Sequence, residues 1–105
     1  MSGVSTHVLD TSVGRPAAGV GVRLETADGE PLARGVTDGD GRWVAGSDQP
    51  PGAGVFRIVF ATGDYFGGRA FHPQVSVEFV VQDPGEGHHV PLLLTPYGYT
   101  TYRGS

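Results

Sequence analysis

Short apolar runs with a period of two, separated by glycine- and proline-rich segments, constrain the fold of this chain more than any other sequence feature. Val20, Val22 and Leu24 alternate with small or charged residues, and the run from Val75 to Gln82 shows a similar pattern. Successive side chains of a strand point to opposite faces of a sheet, so this spacing predicts strands that each bury one face. The 18 glycines and 8 prolines cluster between the runs, which predicts turns and argues against disorder.

Eight strands are predicted by these runs. They cover Val4 to Asp10, Gly19 to Thr26, Leu32 to Thr37, Arg42 to Ala45, Val55 to Ala61, Val75 to Gln82, His88 to Thr95 and Gly98 to Arg103. Gly14-Arg15-Pro16 and Asp38-Gly39-Asp40-Gly41 are predicted to be turns. Thr62 to Phe66 predicts one short helix, capped by Thr62 or Asp64 and ended by Gly67-Gly68. Many short strands with a single helical turn predict an all-β antiparallel sandwich, in one domain spanning residues 1–105.

Composition excludes several classes of function. The chain has no cysteine and no lysine, so disulfides, thiol nucleophiles, cysteine-ligated zinc and lysine Schiff bases are not available. A formal net charge of −4 argues against a general nucleic-acid or acidic-membrane binder, because those need a basic surface. No run is long enough for a transmembrane helix, and Met1-Ser2-Gly3 leads into a strand without a signal-peptide pattern. We therefore expect a soluble cytoplasmic protein.

Strand parity sorts the four histidines. If the valine-bearing faces of the first and seventh predicted strands look inward, His7 and His89 look outward, beside Leu9 and Leu93. A second subunit on this face would bury both the leucines and the imidazoles. A single histidine is more often a surface or structurally bonded residue than a catalytic one, and that interpretation stays open for each of the four.

Metal sites receive little support from the spacing. His88 and His89 are adjacent, so on a strand they face opposite sides and cannot chelate one ion. A zinc site of His7, His72 and His89 is geometrically possible, but no spacing favours it. Asp38 to Gly41 lacks the further acidic ligands of a calcium loop and is better explained as a hairpin turn. We expect no metal.

Arg42 follows that turn at the start of a strand. A guanidinium on a rigid base can bind an anion or a carbonyl oxygen that becomes one. A solvent-exposed strand-edge arginine is an equally acceptable interpretation of the sequence alone. The last four residues, Tyr102 to Ser105, combine aromatic bulk with a fixed cation, which predicts an ordered tail.

Four segments together resemble the 5-hydroxyisourate hydrolases, the transthyretin-related enzymes of urate breakdown. They read Ser-Thr-His-Val-Leu-Asp at residues 5–10, Thr-Asp-Gly-Asp-Gly-Arg at 37–42, His-Val-Pro-Leu-Leu-Leu at 89–94 and Pro-Tyr-Gly-Tyr-Thr-Thr-Tyr-Arg-Gly-Ser at 96–105. The terminal Tyr-Arg-Gly-Ser is the most specific of them and is absent from transthyretin, the hormone carrier of the same fold. Many members carry a second histidine at the position of Gly87, whereas this chain has its extra histidine at His88, so His88 is assigned no role.

The resemblance implies a sandwich of two four-stranded sheets and a homotetramer, a dimer of dimers with active sites between the dimers. It implies catalytic roles for His7, Arg42, His89 and Ser105, and substrate binding by His7, Arg42, Tyr102 and Arg103. The implied reaction opens a ring amide of 5-hydroxyisourate without a metal or organic cofactor. One or both of His7 and His89 would deprotonate a water, and Ser105 would act through its hydroxyl or a terminal carboxylate.

Two other functions are compatible with parts of the sequence. The N-terminal half also resembles regulatory β-sandwich domains attached to carboxypeptidases and surface proteins, which need only turns and a core. A carrier of small ligands like transthyretin would have a more apolar channel, without two histidines and an arginine. The segment from His89 to Pro91 and the tail favour the hydrolase.

Overall fold

Two β-sheets pack face to face in the computed structural model, which describes residues 3–46 and 48–105; Met1, Ser2 and Ser47 lie outside the described residues. The described part of the chain forms ten strands and one helix. They are β1 (Gly3–Asp10), β2 (Arg15–Pro16), β3 (Gly21–Thr26), β4 (Pro31–Val36), β5 (Arg42–Val44), β6 (Gly54–Phe60), α1 (Thr62–Tyr65), β7 (Val75–Val81), β8 (Gly87–His89), β9 (Leu92–Leu94) and β10 (Tyr99–Thr101). The predicted all-β sandwich is confirmed.

Strand β1 is the centre of the first sheet. Its two halves pair with β5 and β2 along one edge, both antiparallel. Along the other edge the same two halves pair with β8 and β9, both parallel, and β10 then pairs with β9. The first sheet is therefore four strand positions wide, as the resemblance implies, although six short strands fill those positions.

The second sheet has the order β4-β3-β6-β7 and is antiparallel throughout. Strands β6 and β7 stay in register over seven residue pairs, from Gly54 with Val81 to Phe60 with Val75. A bulge between Leu24 and Glu25 interrupts the pairing of β3 with β4. On the outer face the buried Glu25 carboxylate bridges the guanidinium groups of Arg23 and Arg57, at 2.8 and 2.6 Å.

The core lies between the sheets and follows the predicted period of two. Val4, Val8, Leu92 and Leu94 from the first sheet are at most 1% exposed, and Leu24, Ile58 and Phe60 from the second are fully buried. Thr6 is also buried on the inner face of β1, where its hydroxyl donates a hydrogen bond of 2.6 Å to the carbonyl oxygen of Val90. This bond satisfies a buried hydroxyl group and joins β1 to the residue that follows β8.

The structure differs from the sequence-based strands at two places. Arg15 and Pro16, predicted to be part of a turn, form β2 against Leu9 and Asp10. The strand predicted from His88 to Thr95 is divided into β8 and β9, with Val90 and Pro91 between them. Proline has no N–H group to donate to a neighbouring strand, which explains the interruption.

The helix occurs where it was predicted, but the prediction that Thr62 or Asp64 caps it was wrong. Ala61 holds the N-cap position and no side chain caps the helix; the Thr62 hydroxyl instead donates to the carbonyl oxygen of His72. Tyr65 donates a hydrogen bond of 2.8 Å to the buried carboxylate of Asp10, at the end of β1. Among the described residues no helix is long and apolar enough to span a membrane.

Gly41 closes the turn that leads into β5. Its φ angle is +77°, a region that favours glycine. A Cβ atom at this position would overlap the carbonyl oxygen of Val8 and lie 3.2 Å from the main-chain nitrogen of Ala17. The carbonyl oxygen of Gly41 accepts a 2.7 Å hydrogen bond from the N–H group of Val8. The turn is thereby held directly against β1.

We expect Gly41→Ala to lower the free energy of unfolding by about 2–3 kcal/mol, because it adds both backbone strain and a steric overlap. Gly39→Ala is the matched control in the same turn, since nothing lies within 4 Å of its Cβ position and its φ angle is not positive. Urea unfolding followed by tryptophan fluorescence at equal protein concentration measures both variants. Equal stability of the two variants would contradict the assigned role of Gly41.

Candidate active site

Four side chains predicted from the sequence to form a site lie around one cleft on the outer face of the first sheet. The cleft has a volume of about 690 Å³, and His7, Arg42, His89 and Ser105 are among its lining residues. They come from β1, β5, β8 and the segment after β10, so residues far apart in the sequence share one surface. The prediction that His7 and His89 face away from the core is confirmed, since the inner positions Thr6 and His88 are buried instead.

The register of β1 with its neighbours brings these groups together. His7 on β1 is the antiparallel partner of Arg42 on β5. Two residues earlier, Ser5 is the parallel partner of His89 on β8. Positions two apart on a strand share a face. The side chains of Ser5, His7, Arg42 and His89 therefore all lie on the outer face, next to one another.

Arg42 is held by the turn before it. The Asp38 carboxylate accepts hydrogen bonds from the main-chain N–H groups of Arg42 and Asp40, at 3.0 and 2.9 Å. The main-chain N–H of Asp38 donates in return to the carbonyl oxygen of Arg42, at 2.8 Å. The bond from the Arg42 N–H group is the largest factor that lowers the pKa of Asp38, and the charges of Arg42 and His7 lower it further. The turn therefore fixes the main chain from which the guanidinium extends.

His89 is half-buried and sits in a positive environment. Burial is the main cause that lowers the pKa of His89, followed by the charges of His7 and Arg42. Its Nδ1 atom lies 2.9 Å from the Oγ atom of Ser5. A lowered pKa keeps the imidazole neutral at neutral pH, the state in which it can accept a proton.

The C-terminal segment returns to β8 through main-chain bonding. The N–H group of Gly104 donates a hydrogen bond of 2.8 Å to the carbonyl oxygen of His89, and Ser105 then borders the cleft. Arg103 forms an ion pair of 3.2 Å with Glu86, but both side chains are more than 60% exposed. Such a pair adds little stability, so the main-chain bridge is the firmer attachment.

Tyr102 and Arg103 line a different cavity from the other predicted residues. This second cavity measures about 290 Å³ and lies beside β7, where Val77 and Phe79 are among its lining residues. The structure therefore brings together His7, Arg42, His89 and Ser105, and it holds Tyr102 and Arg103 on the neighbouring surface. Substrate binding by these two residues stays a prediction.

The remaining histidines lie apart from this constellation. His88 faces inward, with its ring 6.4 Å from that of Phe79 and its Nδ1 atom 3.0 Å from the carbonyl oxygen of Glu86. His72 packs edge to face against Phe71 and Tyr99. Within residues 3–46 and 48–105, no three His, Cys, Asp or Glu side chains are arranged to hold a metal ion. The zinc site considered for His7, His72 and His89 is not formed.

The cleft can bind a polar ring and transfer a proton. Arg42 offers a guanidinium for an anionic edge or a developing oxyanion, and neutral His89 can take a proton from water. Sequence reasoning missed Ser5, Asp38 and Gly104, all of which contact catalytic candidates. The parity that identified His7 also places Ser5 on its face, and that was the available signal for Ser5.

Comparison with known proteins finds matches over nearly the whole chain. The model of the HIUase/Transthyretin family matches residues 4–104. The chain is 47% identical to the 5-hydroxyisourate hydrolase of Caulobacter vibrioides, with 100% of both chains covered. A solved structure of Klebsiella pneumoniae 5-hydroxyisourate hydrolase superposes with a TM-score of 0.87 at 40% identity, over 99% of this chain and 100% of that one. Sea bream transthyretin in complex with thyroxine gives a TM-score of 0.84 at 33% identity, over 96% and 93% of the two chains.

We expect the pKa of His89 to lie below 6.5 and to rise in Arg42→Gln, because that substitution removes a positive charge that disfavours the imidazolium. Titration of the imidazole carbon signals by NMR measures this shift. Arg34→Gln, on β4 of the other sheet, is the control. A pKa of His89 that is unchanged or lower in Arg42→Gln would contradict this electrostatic account.

The same lowered pKa predicts how stability depends on pH. Folding lowers the pKa of His89, so the unfolded chain binds the proton more readily, and the free energy of unfolding should decrease as the pH falls through the interval just below 6.5.

Proposed function

The chain belongs to the HIUase/transthyretin family, and from this premise we propose that it is a 5-hydroxyisourate hydrolase. The observation that supports the proposal best is the convergence of His7, Arg42, His89 and Ser105 on one cleft. The 47% identity to the Caulobacter vibrioides enzyme, over the full length of both chains, also supports the proposal. The single-domain chain would then act in urate breakdown in the cytoplasm.

The reaction is the addition of water to a ring amide of 5-hydroxyisourate. In the proposed mechanism His89 accepts a proton from water as the water oxygen forms a bond to the carbonyl carbon. The ring C–N bond then breaks, and the proton passes to the departing nitrogen, which gives 2-oxo-4-hydroxy-4-carboxy-5-ureidoimidazoline. His89 is the better candidate for the base because burial lowers its pKa and keeps it neutral. His7 would orient the water or the substrate from the next outward-facing position along the sheet.

Arg42 and Ser105 act on charge and orientation in this scheme. The guanidinium of Arg42 would bind the anionic edge of the substrate and stabilise the oxyanion formed by attack. Ser105 would orient the substrate through its hydroxyl group. Tyr102 and Arg103 would help the main-chain bond between Gly104 and His89 to hold the tail, and would complete substrate binding from the adjacent surface.

A homotetramer, arranged as a dimer of dimers, is part of the same proposal. Leu9 and Leu93 are cross-strand partners on the outer face of the first sheet, and Val44 beside the cleft is 68% exposed. Apolar residues around a polar cleft fit a face that a second subunit covers. Such a subunit would also exclude water from the reacting groups, which strengthens their electrostatic interactions.

His89→Asn should lower kcat by about 10²–10⁴-fold, the usual contribution of a general base. Uricase acting on urate generates the labile substrate in place, and ultraviolet absorbance follows its decay with and without the protein. His72→Asn is the matched control, because His72 packs against Tyr99 and does not line the cleft. No acceleration by the unmodified protein above the spontaneous rate would refute the proposed function, and an unchanged rate in His89→Asn would remove that residue from the mechanism.

Light scattering after size exclusion should give a mass four times that of the 11.0 kDa chain. Leu93→Glu should reduce this mass, because it places a charge in the proposed subunit contact. Val36→Glu is the control, since Val36 is 62% exposed on the second sheet. A monomeric unmodified protein, or a Leu93→Glu variant that stays tetrameric, would contradict the proposed assembly.

A further inference from the structure

The imidazole of His89 is contacted by two residues to which no chemical role has been assigned, Ser5 and Gly104. Ser5 approaches the ring at Nδ1, where its Oγ atom lies 2.9 Å away. Among the described residues, 3–46 and 48–105, this is the hydrogen bond between the His89 ring and another side chain, and it engages Nδ1 rather than Nε2. The Ser5 contact therefore bears on which ring nitrogen carries the proton.

The 2.9 Å contact identifies Nδ1 as the nitrogen that the Ser5 side chain engages. A neutral imidazole has one N–H donor and one acceptor nitrogen, and a serine hydroxyl group can take either role. When Nδ1–H donates to the Oγ atom of Ser5, the lone pair of neutral His89 is on Nε2.

Gly104 lies against the ring from the tail. A Cβ atom added to Gly104 would overlap Cδ2 of His89, and it would lie 3.1 Å from both the Cγ atom of His89 and the Cγ atom of Pro91. The φ angle of Gly104 is not positive, so its backbone conformation does not require glycine. What requires glycine at this position is space, because the main chain of the tail packs directly on the imidazole.

We propose that Ser5 and Gly104 are positioning residues for His89, Ser5 holding the proton on Nδ1 and Gly104 setting the orientation of the ring. The catalytic consequence rests on the proposed function, in which His89 is the base, but the ring geometry itself exists without substrate. A base whose lone pair is fixed towards its water avoids the cost of reorientation in each turnover.

Charged and titratable groups from four parts of the chain surround the His89 ring. His7 on β1 and Arg42 on β5 both lower the pKa of His89. On β8 itself, His88 faces the opposite side of the sheet and is buried. On the tail, Arg103 is paired with Glu86. A hydrogen bond with the Ser5 main chain raises the pKa of His89. Substitution of the Ser5 side chain keeps that main chain, so a titration of Ser5→Ala isolates the effect of the Oγ contact.

Ser5→Ala and Ser5→Thr test the first half of the proposal in the free protein. Nitrogen-15 shifts of the His89 ring should show the proton on Nδ1 in the unmodified protein and a mixture of tautomers in Ser5→Ala, with a lower pKa. We expect kcat to fall about tenfold at unchanged KM in Ser5→Ala, and Ser5→Thr to restore both the tautomer and the rate. An unchanged tautomer in Ser5→Ala, or a higher pKa, would overturn the role of Ser5.

Gly104→Ala tests the second half. We expect kcat to fall about 10²-fold, with KM affected much less, because the added methyl group displaces the ring. Gly98→Ala is the matched control near the tail, since its Cβ would lie 3.8 Å from the nearest atom, Oγ1 of Thr95. Unchanged His89 ring shifts in Gly104→Ala would overturn the role of Gly104. The ring shifts are measured without substrate, so they remain decisive even if the unmodified protein fails to hydrolyse 5-hydroxyisourate.

Discussion

The pairing of β1 on both of its edges is the constraint on which the rest of the molecule depends. One strand forms ladders with β5 and β2 on one side and with β8 and β9 on the other. Its pleat therefore decides at once which residues enter the core and which face the cleft. A register shift of one residue would exchange Thr6 with His7, so a buried core and an intact site require the same register. The packing of the core therefore also determines which residues of β1 face the cleft.

Sequence patterns predicted the parts of the structure that depend on local chemistry. The period of two assigned His7 and His89 to the outer face, and the turn at Asp38 to Gly41 placed Arg42 at a strand start. Contacts between distant segments were not predictable in the same way. These contacts include the parallel pairing of β1 with β8, the pairing of β2 with β1 and the separate cavity beside Tyr102. All three depend on the tertiary arrangement, which has no signature in the local sequence. Ser5 was missed because a serine in a strand looks like an ordinary polar surface residue.

The same sandwich is found in sea bream transthyretin crystallised with thyroxine and in the 5-hydroxyisourate hydrolase of Klebsiella pneumoniae. A fold of this kind does not specify chemistry, and the difference must reside in the side chains of the cleft. Here those side chains are two imidazoles, a guanidinium and a hydroxyl group, arranged so that burial and neighbouring charge keep one imidazole neutral. A cleft with this polar lining fits the proposed ring substrate better than it would fit an apolar ligand.

The parallel pairing of β1 with β8 has a kinetic consequence. Parallel neighbours cannot be joined by a hairpin, and in this chain the connection between them contains the whole second sheet. Ser5 and His89, 84 positions apart in the sequence, meet across that connection. Closing so long a loop is entropically costly and is compensated only by contacts made across the entire sandwich. The cleft should therefore be incomplete in partly folded chains and in fragments that lack either β1 or β8.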